Sequence, residues 1–440
     1  MMKTHNYKQH AYGLSRRDFL YLSGIGTVAL LSGCAAHPVT GRRQLMLMSE
    51  DQEIRLDQEN SPHQISADYG PVQDQTLNDY VSGVGRQIAE QSHRPDMPYS
   101  FNTLNASYVN AYAFPGGTIG VTRGILLDLE NEAELASLIG HEVGHVSARH
   151  TAQRMTRGLL AAAVFSGAAA AAGPEWQNVV AGLGGIGAGA LLASYSRNQE
   201  READELGLDY MVGSGYNPQG FVGLMKMLMD MSGRDKSHLA VLFATHPMSS
   251  ERYQTALIRA DDQQALRDQP VYRERYMDNI SGLRRIEEAI RQLQEGDDQM
   301  MAGNPENARK NYERALVIAP EDYAANLKQA KCLLAVDQDR EAEKYALAAG
   351  KTYPDEPQAI HILGMIHLNR KNFDQALTHF EAYNMRLPGN PNNIFFRGYC
   401  LEGMGRRDRA AGKYYAYLQQ VGSGDYARYA HARLQQWGYI

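Results

Sequence analysis

Two histidines and a glutamate about one third of the way along the chain have the spacing of a metal-dependent hydrolase. His141, Glu142 and His145 form the pattern HExxH. Residues four apart lie on one face of a helix, so both imidazoles can bind one ion while Glu142 reaches a water beside it. A zinc ion lowers the pKa of its bound water to about 7, and a carboxylate can accept the proton that leaves. The pattern therefore predicts a zinc site suited to peptide hydrolysis.

A helix is predicted to carry these residues. Asn131 is a favourable residue to start it, and Glu134 three positions later has the spacing of a capping box. Apolar residues then recur at helical intervals, at Leu135, Leu138, Ile139 and Val146. An ordinary helix with a hydrogen-bonded histidine pair is the alternative. Ionisable side chains that face a core are costly, however, unless a metal or hydrogen bonds satisfy them.

A tetrahedral catalytic zinc needs a third protein ligand and one open position. A metzincin would have glycine and histidine three and six residues after the second histidine, but those positions hold Ala148 and Thr151. The alternative is a carboxylate on a later helix, where Glu200 and Asp204 lie four apart on one face. Glu200 could then bind the ion, and Asp204 could orient a ligand histidine through its second ring nitrogen. Glu202 is expected to point elsewhere, into solvent.

Four segments resemble the Ste24/HtpX-type family of zinc metallopeptidases. They are HEVGHVSARH at 141–150, SRNQEREAD at 196–204, NAYAFPGG at 110–117 and THP at 245–247, the last followed by Ser250, Glu251 and Arg252. The resemblance extends over about residues 38 to 260 and suggests the family's peptidase fold and activity for this part of the chain.

The resemblance also assigns roles to residues. It implies one zinc ion per chain, bound by His141, His145 and Glu200, with Glu142 as the general base. It further implies that Asp204 supports catalysis. A proton donor is one possibility, and a buried orienting residue is the one that its position four after Glu200 favours.

Residues 108–122 are predicted to form an edge strand before the active-site helix. Apolar and polar residues alternate in places along the segment, which also contains the turn Pro115-Gly116-Gly117. An open edge can pair with an extended peptide and lay its scissile bond across the zinc. A purely structural hairpin is equally compatible with these residues, and the family resemblance favours substrate binding.

His246 could approach the open zinc position. It lies in the family-like segment 245–247, and binding through its ring would displace the water and shut the enzyme off. His246 is therefore a candidate regulatory fourth ligand. Arg252 could stabilise an oxyanion or hold the loop, and the residues leave both roles open.

The first 33 residues have the features of an export signal. Basic residues, among them Arg16 and Arg17, precede an apolar run from Phe19 to Leu31 that is too short to span a bilayer. The segment 15–20 resembles a twin-arginine signal, and general secretory export is the alternative. Leu31-Ser32-Gly33-Cys34 resembles a lipobox, which makes Cys34 the expected lipidated residue. We expect a periplasmic protein tethered to the outer membrane as a lipoprotein.

Charge argues against a nucleic-acid partner. The formal net charge is −6, and removing the +3 of residues 1–33 (four Lys/Arg against Asp18) leaves −9 on the mature chain. An acidic surface repels phosphate backbones.

The last third of the chain is a repeat array. Prolines recur 34 residues apart, at Pro320, Pro354 and Pro388, and alanines keep the same step, at Ala308, Ala342, Ala376 and Ala410. Glycine recurs at Gly364 and Gly398, and aromatic residues recur at Tyr312, Phe380 and Tyr414. This is the tetratricopeptide pattern. Four repeats and a capping helix are predicted, forming a curved superhelix that binds peptides or proteins.

An Ala/Gly-rich stretch at 158–194 separates the two predicted ligand helices. It is nearly uncharged, and its first arm is shorter than the roughly 20 residues of a transmembrane helix. A tightly packed helical hairpin is the favoured interpretation. A mobile flap over the site, or a hairpin that dips into the membrane interface, is the alternative.

The expected fold is mainly α. It comprises a gluzincin-like HExxH zincin domain with a small β-sheet at 45–265, a helical linker at 266–286 and an α-solenoid of tetratricopeptide repeats at 287–440. The combination resembles periplasmic proteases that assist the assembly of outer-membrane β-barrel proteins. It implies a zinc metalloendopeptidase that degrades misfolded or stalled outer-membrane proteins recruited by its repeats, which would also contact the barrel-assembly machinery. The alternative is a repeat-based chaperone or scaffold with repressed or minor protease activity.

Overall fold

The computed structural model describes residues 34–157, 194–233, 237–263, 266 and 268–440. The predicted signal segment 1–33 and residues 158–193 of the Ala/Gly-rich stretch lie outside the described residues. Within the described ranges, no helix is both long enough and apolar enough to cross a bilayer.

The first part of the chain is a helical body with a small sheet. Its strands are β1 (Cys34–Ala36), β2 (Arg43–Leu45), β3 (Ser100–Leu104), β4 (Ala111–Ala113) and β5 (Thr118–Thr122). Its helices are α1 (Glu50–Ala67), α2 (Gln75–Ala89), α3 (Arg123–Leu126), α4 (Glu132–Ser147), α5 (Arg197–Gly213), α6 (Gln219–Met231), α7 (Ser237–Thr245) and α8 (Ser250–Asp262). β1 and β2 form an antiparallel pair, and the other sheet has the order β3-β5-β4. β5 is parallel to β3 and antiparallel to β4, so β4 is an edge strand.

Helix α4 lies at the centre of this body. Each of its residues from Glu132 to Ser147 is buried. The helix packs against α2, α5, α6 and β4, and their apolar side chains join its own in one core. Burial of a helix on all sides excludes water from any polar group it carries, so such groups need partners within the protein.

Glycines allow α4 and α5 to approach closely where they cross. A Cβ on Gly140 would lie 2.7 Å from the carbonyl oxygen of Gly207, and one on Gly207 would lie 2.7 Å from the backbone nitrogen of His141. One turn further on, a Cβ on Gly144 would lie 2.9 Å from the carbonyl oxygen of Ala203. Backbone contact at the crossing places the acidic face of α5 against the histidine face of α4.

The rest of the chain is a helical array. Two short helices, α9 (Arg273–Asn279) and α10 (Ser281–Arg285), precede it. The array contains α11 (Glu287–Met301), α12 (Pro305–Ile318), α13 (Tyr323–Ala335), α14 (Asp339–Thr352), α15 (Gln358–Asn369), α16 (Phe373–Arg386), α17 (Pro391–Gly403), α18 (Arg407–Leu418) and α19 (Asp425–Trp437). Consecutive helices pair, and each pair packs against the next, as in an α-solenoid of tetratricopeptide repeats.

The recurring small and aromatic residues meet inside the helix pairs. A Cβ on Gly364 would lie 2.7 Å from the ring of Phe380, so the glycine makes room for the aromatic side chain. Gly296 makes room for Tyr312 in the same way. This pair lies two 34-residue steps before Gly364 and Phe380, and the step between them has alanine at both positions, Ala330 and Ala346.

The array packs directly on the first part of the chain and makes ion pairs with it. The guanidinium of Arg123 at the start of α3 makes a bidentate ion pair with Asp322, which caps α13. Arg291 of α11 donates to Asp128 at 2.8 Å. The Arg123–Asp322 pair is buried, and removing one partner of a buried pair is costly, so this pair helps to fix the orientation of the array on the first part of the chain.

Candidate metal centre

Helix α4 begins at the predicted residue. The side chain of Asn131 accepts a hydrogen bond from the Glu134 backbone N–H at 3.0 Å. Glu134 does not complete a capping box, because its carboxylate accepts from the side-chain amide of Asn131 at 3.0 Å and from the N–H of Glu130 at 2.7 Å. From this start, His141 and His145 fall one turn apart on the same face.

Four side chains converge between α4, α5 and the loop after α7. His141, His145, Glu200 and His246 are buried, and each offers a ligand atom within 4.8 Å of the others. His145 Nε2 lies 3.0 Å from His141 Nε2 and 3.4 Å from Glu200 Oε1. His246 Nδ1 lies 3.3 Å from His141 Nε2 and 3.2 Å from Glu200 Oε1. The structure thus brings the three predicted ligands and the predicted regulatory histidine to one point.

This spacing fits a tetrahedral zinc ion. Nitrogen and oxygen ligands bound at about 2.0–2.1 Å in a tetrahedron stand about 3.3 Å from one another. The pairs quoted above, together with His141 Nε2 and Glu200 Oε2, are separated by 3.0 to 3.5 Å. Histidine nitrogens and a carboxylate are also the donors that zinc selects.

The charges in the cluster favour metal binding. Burial alone would raise the pKa of Glu200, but attraction by His246 and His141 outweighs it and holds that pKa well below its usual range. Burial lowers the pKa of His145 well below its ordinary value, so its ring stays neutral and keeps a lone pair. Burial also opposes protonation of His246, yet Glu200 and Glu142 raise its pKa overall. Negative charge therefore attracts the His246 ring towards the cluster.

Asp204 and Arg252 form a buried pair next to the ligands. Asp204 Oδ1 lies 3.0 Å from His141 Nδ1, and Arg252 donates to both oxygens of Asp204 at 2.7 Å. Arg252 Nη1 also lies 2.8 Å from Glu200 Oε2 and donates to the carbonyl of Pro247 at 3.1 Å. Arg252 therefore connects two carboxylates of α5 to the loop that follows α7.

Glu142 lies beside the cluster with one oxygen uncommitted. Its Oε1 is 3.8 Å from His246 Nε2, and its buried Oε2 has no hydrogen-bond partner among the described residues. Burial raises the pKa of Glu142, although His246 and His141 act against the shift. A buried carboxylate with a raised pKa and a free oxygen is suited to accept and release a proton.

Tyr195 is a site residue that the sequence did not indicate. Its ring stacks on His145 with centroids 3.8 Å apart, and its hydroxyl lies 3.2 Å from that of Thr151. Its backbone N–H donates to the Thr245 carbonyl at 3.1 Å, next to His246. Tyr195 immediately precedes the cap of α5 at Ser196, where no helical periodicity could point to it.

Glu202 points away from the ligand cluster, as expected, but it is only partly exposed to solvent and has a partner. Its side chain is 34% exposed, and Oε2 lies 3.2 Å from His150 Nε2. His150 Nδ1 in turn lies 2.8 Å from His145 Nδ1. Arg149 explains this contact, because its left-handed φ of 58° interrupts the helix after α4 and turns His150 back towards the site.

The predicted edge strand is the β4–β5 hairpin. β4 lies at the sheet edge and packs against α4, but its three residues Ala111–Ala113 are all buried. The hairpin does not lead directly into the active-site helix, because α3 intervenes between β5 and α4.

Comparison with known proteins finds a family model that matches the part of the chain containing the site. Residues 75–260 match the model of Peptidase family M48. Metallopeptidases of this family use zinc, and the matched residues contain the histidine and glutamate cluster.

Relatives with established names cover part of this chain. A beta-barrel assembly-enhancing protease of Yersinia pestis is 29% identical over 251 residues, which are 54% of this chain and 50% of the relative. Metalloprotease YcaL of Escherichia coli (strain K12) is 35% identical over 158 residues, 36% of this chain and 60% of the relative. The chain spans about half the length of the first of these relatives. The solved structure of PilW, a type IV pilus biogenesis factor, covers 53% of this chain and 91% of its own with 13% identity and a TM-score of 0.31.

Proposed function

Since residues 75–260 form a peptidase M48 domain, a zinc metalloendopeptidase type, we propose that the chain is a zinc-dependent endopeptidase of the periplasm. The observation that carries the proposal is the convergence of four buried ligand atoms at tetrahedral spacing. His141, His145 and Glu200 would hold the ion, and His246 would occupy the position that a catalytic site must keep open.

Glu142 would act as general base. When bound, zinc supplies a polarising charge that lowers the pKa of a water and activates the peptide carbonyl. Glu142 Oε2, which has no other described partner, would accept the proton of the attacking water and deliver it to the leaving amine. Its burial favours the protonated form after this transfer.

Asp204 and Arg252 would position the ligands. Asp204 would hold the Nδ1 proton of His141, which leaves Nε2 free for the ion. Arg252 contacts Asp204, Glu200 and the Pro247 carbonyl, so its guanidinium N–H groups are already engaged. These contacts favour a role in holding the loop and argue against a role in stabilising an oxyanion.

The substrate would enter between β4 and the loop that carries His246. β4 is an edge strand whose three residues are buried, so pairing with an extended peptide would require the residues that cover it to move. A small cavity beside Glu142 is lined mainly by apolar side chains, including Leu138, Leu224 and Leu242, and also by His246. Withdrawal of His246 would enlarge this cavity. We therefore propose that the cavity receives an apolar side chain of the substrate next to the scissile bond.

The repeats would recruit misfolded or stalled outer-membrane proteins and contact the barrel-assembly machinery. The name of the Yersinia pestis relative supports this proposal, as does the firm attachment of the array through Arg123 and Asp322. We propose a peptidase domain at 45–265, a helical linker at 266–286 and four repeats with a capping helix at 287–440. Export by a signal at 1–33 and lipidation of Cys34 would tether the protein to the outer membrane.

A chaperone or scaffold with a repressed protease is the second candidate. The position of His246 favours it, since a histidine on the fourth ligand position excludes the attacking water. The two candidates differ in whether His246 can leave the cluster.

Metal analysis of purified full chains tests the ligand assignment. Wild type should carry one zinc per chain, and Glu200→Gln should carry far less. Glu205→Gln, on an exposed position of the same helix, is the matched control and should match wild type. Zinc that does not depend on Glu200 would refute the ligand set.

For the substrate class, the Glu142→Gln chain should retain an unfolded outer-membrane barrel protein more firmly than it retains the folded form; equal retention would refute that class.

A further inference from the structure

His145 is connected to a carboxylate on α5 by a second histidine. His145 Nδ1 lies 2.8 Å from His150 Nδ1, and His150 Nε2 lies 3.2 Å from Glu202 Oε2. His150 is fully buried, whereas Glu202 is half-buried at the edge of the site. None of these contacts is needed to collect the four ligand atoms.

The distances define which ring nitrogens carry protons. Two imidazole nitrogens 2.8 Å apart form a hydrogen bond only if one of them is protonated. His145 Nε2 faces the ligand cluster and must offer a lone pair there, so its proton lies on Nδ1. His150 Nδ1 then accepts, and the proton of His150 lies on Nε2, which donates to Glu202.

A third histidine, in the loop that joins β1 and β2, reaches the same carboxylate. The backbone N–H groups of Val39 and Thr40 both donate to His37 Nδ1 at 3.3 Å. The proton of His37 therefore lies on Nε2, which is 3.5 Å from Glu202 Oε1. Glu202 thus faces one ring N–H on each of its oxygens.

We propose that His150 and Glu202 are positioning residues that hold His145 in its metal-binding tautomer, and that His37 anchors Glu202 from the β1–β2 loop. The inference rests on the proposed zinc site. It gives each histidine of the HExxH pattern its own anchor on α5, directly from Asp204 for His141 and through His150 from Glu202 for His145. Partners of this kind orient a ligand ring and raise its basicity.

The affinity of the full chain for zinc, measured by competition with a chromophoric chelator, tests the proposal without any activity assay. Glu202→Ala and His150→Ala should each raise the zinc dissociation constant about 10-fold to 100-fold. His150→Asn should recover much of the loss, because the amide oxygen can replace Nδ1 as the acceptor for His145. Glu205→Ala, three residues along α5 and exposed, should leave affinity unchanged.

Two results would overturn the inference. One is a zinc affinity equal to that of wild type in both Glu202→Ala and His150→Ala. The other is an equal loss in His150→Asn and His150→Ala, which would point to packing instead of a hydrogen bond. If the buried His150→Ala variant does not fold, the zinc affinity of Glu202→Ala, at a half-buried position, still tests the inference. Failure of the proposed function would give a different result from failure of this inference, because the wild-type chain itself would then bind no zinc.

Discussion

Asp204 Oδ1 lies 3.0 Å from His141 Nδ1, while both Asp204 oxygens accept hydrogen bonds from Arg252. Burial would raise the pKa of Asp204, but Arg252 and His141 lower it overall, so the carboxylate remains ionised. An ionised carboxylate on the second ring nitrogen increases the basicity of the ligand nitrogen.

We predict that Asp204→Asn weakens zinc binding by about 10-fold to 100-fold, because the neutral amide keeps the shape but loses the charge. Chelator competition measures the change. Asp209→Asn, on an exposed position of α5, serves as control and should bind zinc as wild type does. Unchanged affinity in Asp204→Asn would show that His141 does not need this carboxylate.

Gly207→Ala is predicted to separate the two ligand helices. Its Cβ would lie 2.7 Å from the His141 backbone nitrogen, and backbone cannot move aside as a flexible side chain can. We expect a loss of about 1–3 kcal/mol in the free energy of unfolding, with weaker zinc binding. Urea unfolding and chelator competition measure the two effects.

Gly83→Ala in α2 is the control for that change. A Cβ there meets no atom within 4 Å, so the substitution should be neutral or stabilise the helix by up to about 1 kcal/mol. Equal effects of the two alanines would contradict the account of the helix crossing.

His361 should make the repeat array sensitive to acid. Burial, assisted by Lys331, lowers the pKa of His361 to about 4 from 6.5. The unfolded chain then binds the proton more readily than the folded one, so stability is fully present above pH 6.5 and falls as the pH drops towards 4. The shift corresponds to about 3 kcal/mol.

His361→Phe tests this assignment. Phenylalanine cannot titrate and keeps a ring beside Phe380 and Tyr383. Between pH 7 and pH 4.5, urea unfolding of the array should show a smaller loss of stability in the variant than in wild type. Equal losses would mean that other groups cause the acid sensitivity.

Local patterns made much of the site predictable. Spacing along single helices makes His141, His145, Glu200 and Asp204 candidates, because side chains four apart must share a face, and the family resemblance supplied their roles. The 34-residue step similarly identifies the repeats, since each helix pair packs on the next in the same way. The fold class and zinc as the metal were therefore predictable without coordinates, while the role of each site residue stays a prediction.

The residues that the sequence missed depend on geometry between elements. His150 reaches His145 only because Arg149 adopts a left-handed conformation, and Tyr195 stacks on His145 from outside any helix. The contact of Glu202 with His150 depends on how closely α4 and α5 cross, which the glycines Gly140 and Gly207 determine. No single-helix periodicity contains this information.

Cleavage of unfolded casein by the zinc-loaded full chain tests the central claim most directly. The account predicts weak cleavage by wild type, because His246 occupies the fourth ligand position, and faster cleavage by His246→Ala. It also predicts none by Glu142→Gln, which binds zinc but lacks the base. Absence of cleavage by both wild type and His246→Ala, each with zinc bound, would contradict the account, as would undiminished cleavage by Glu142→Gln.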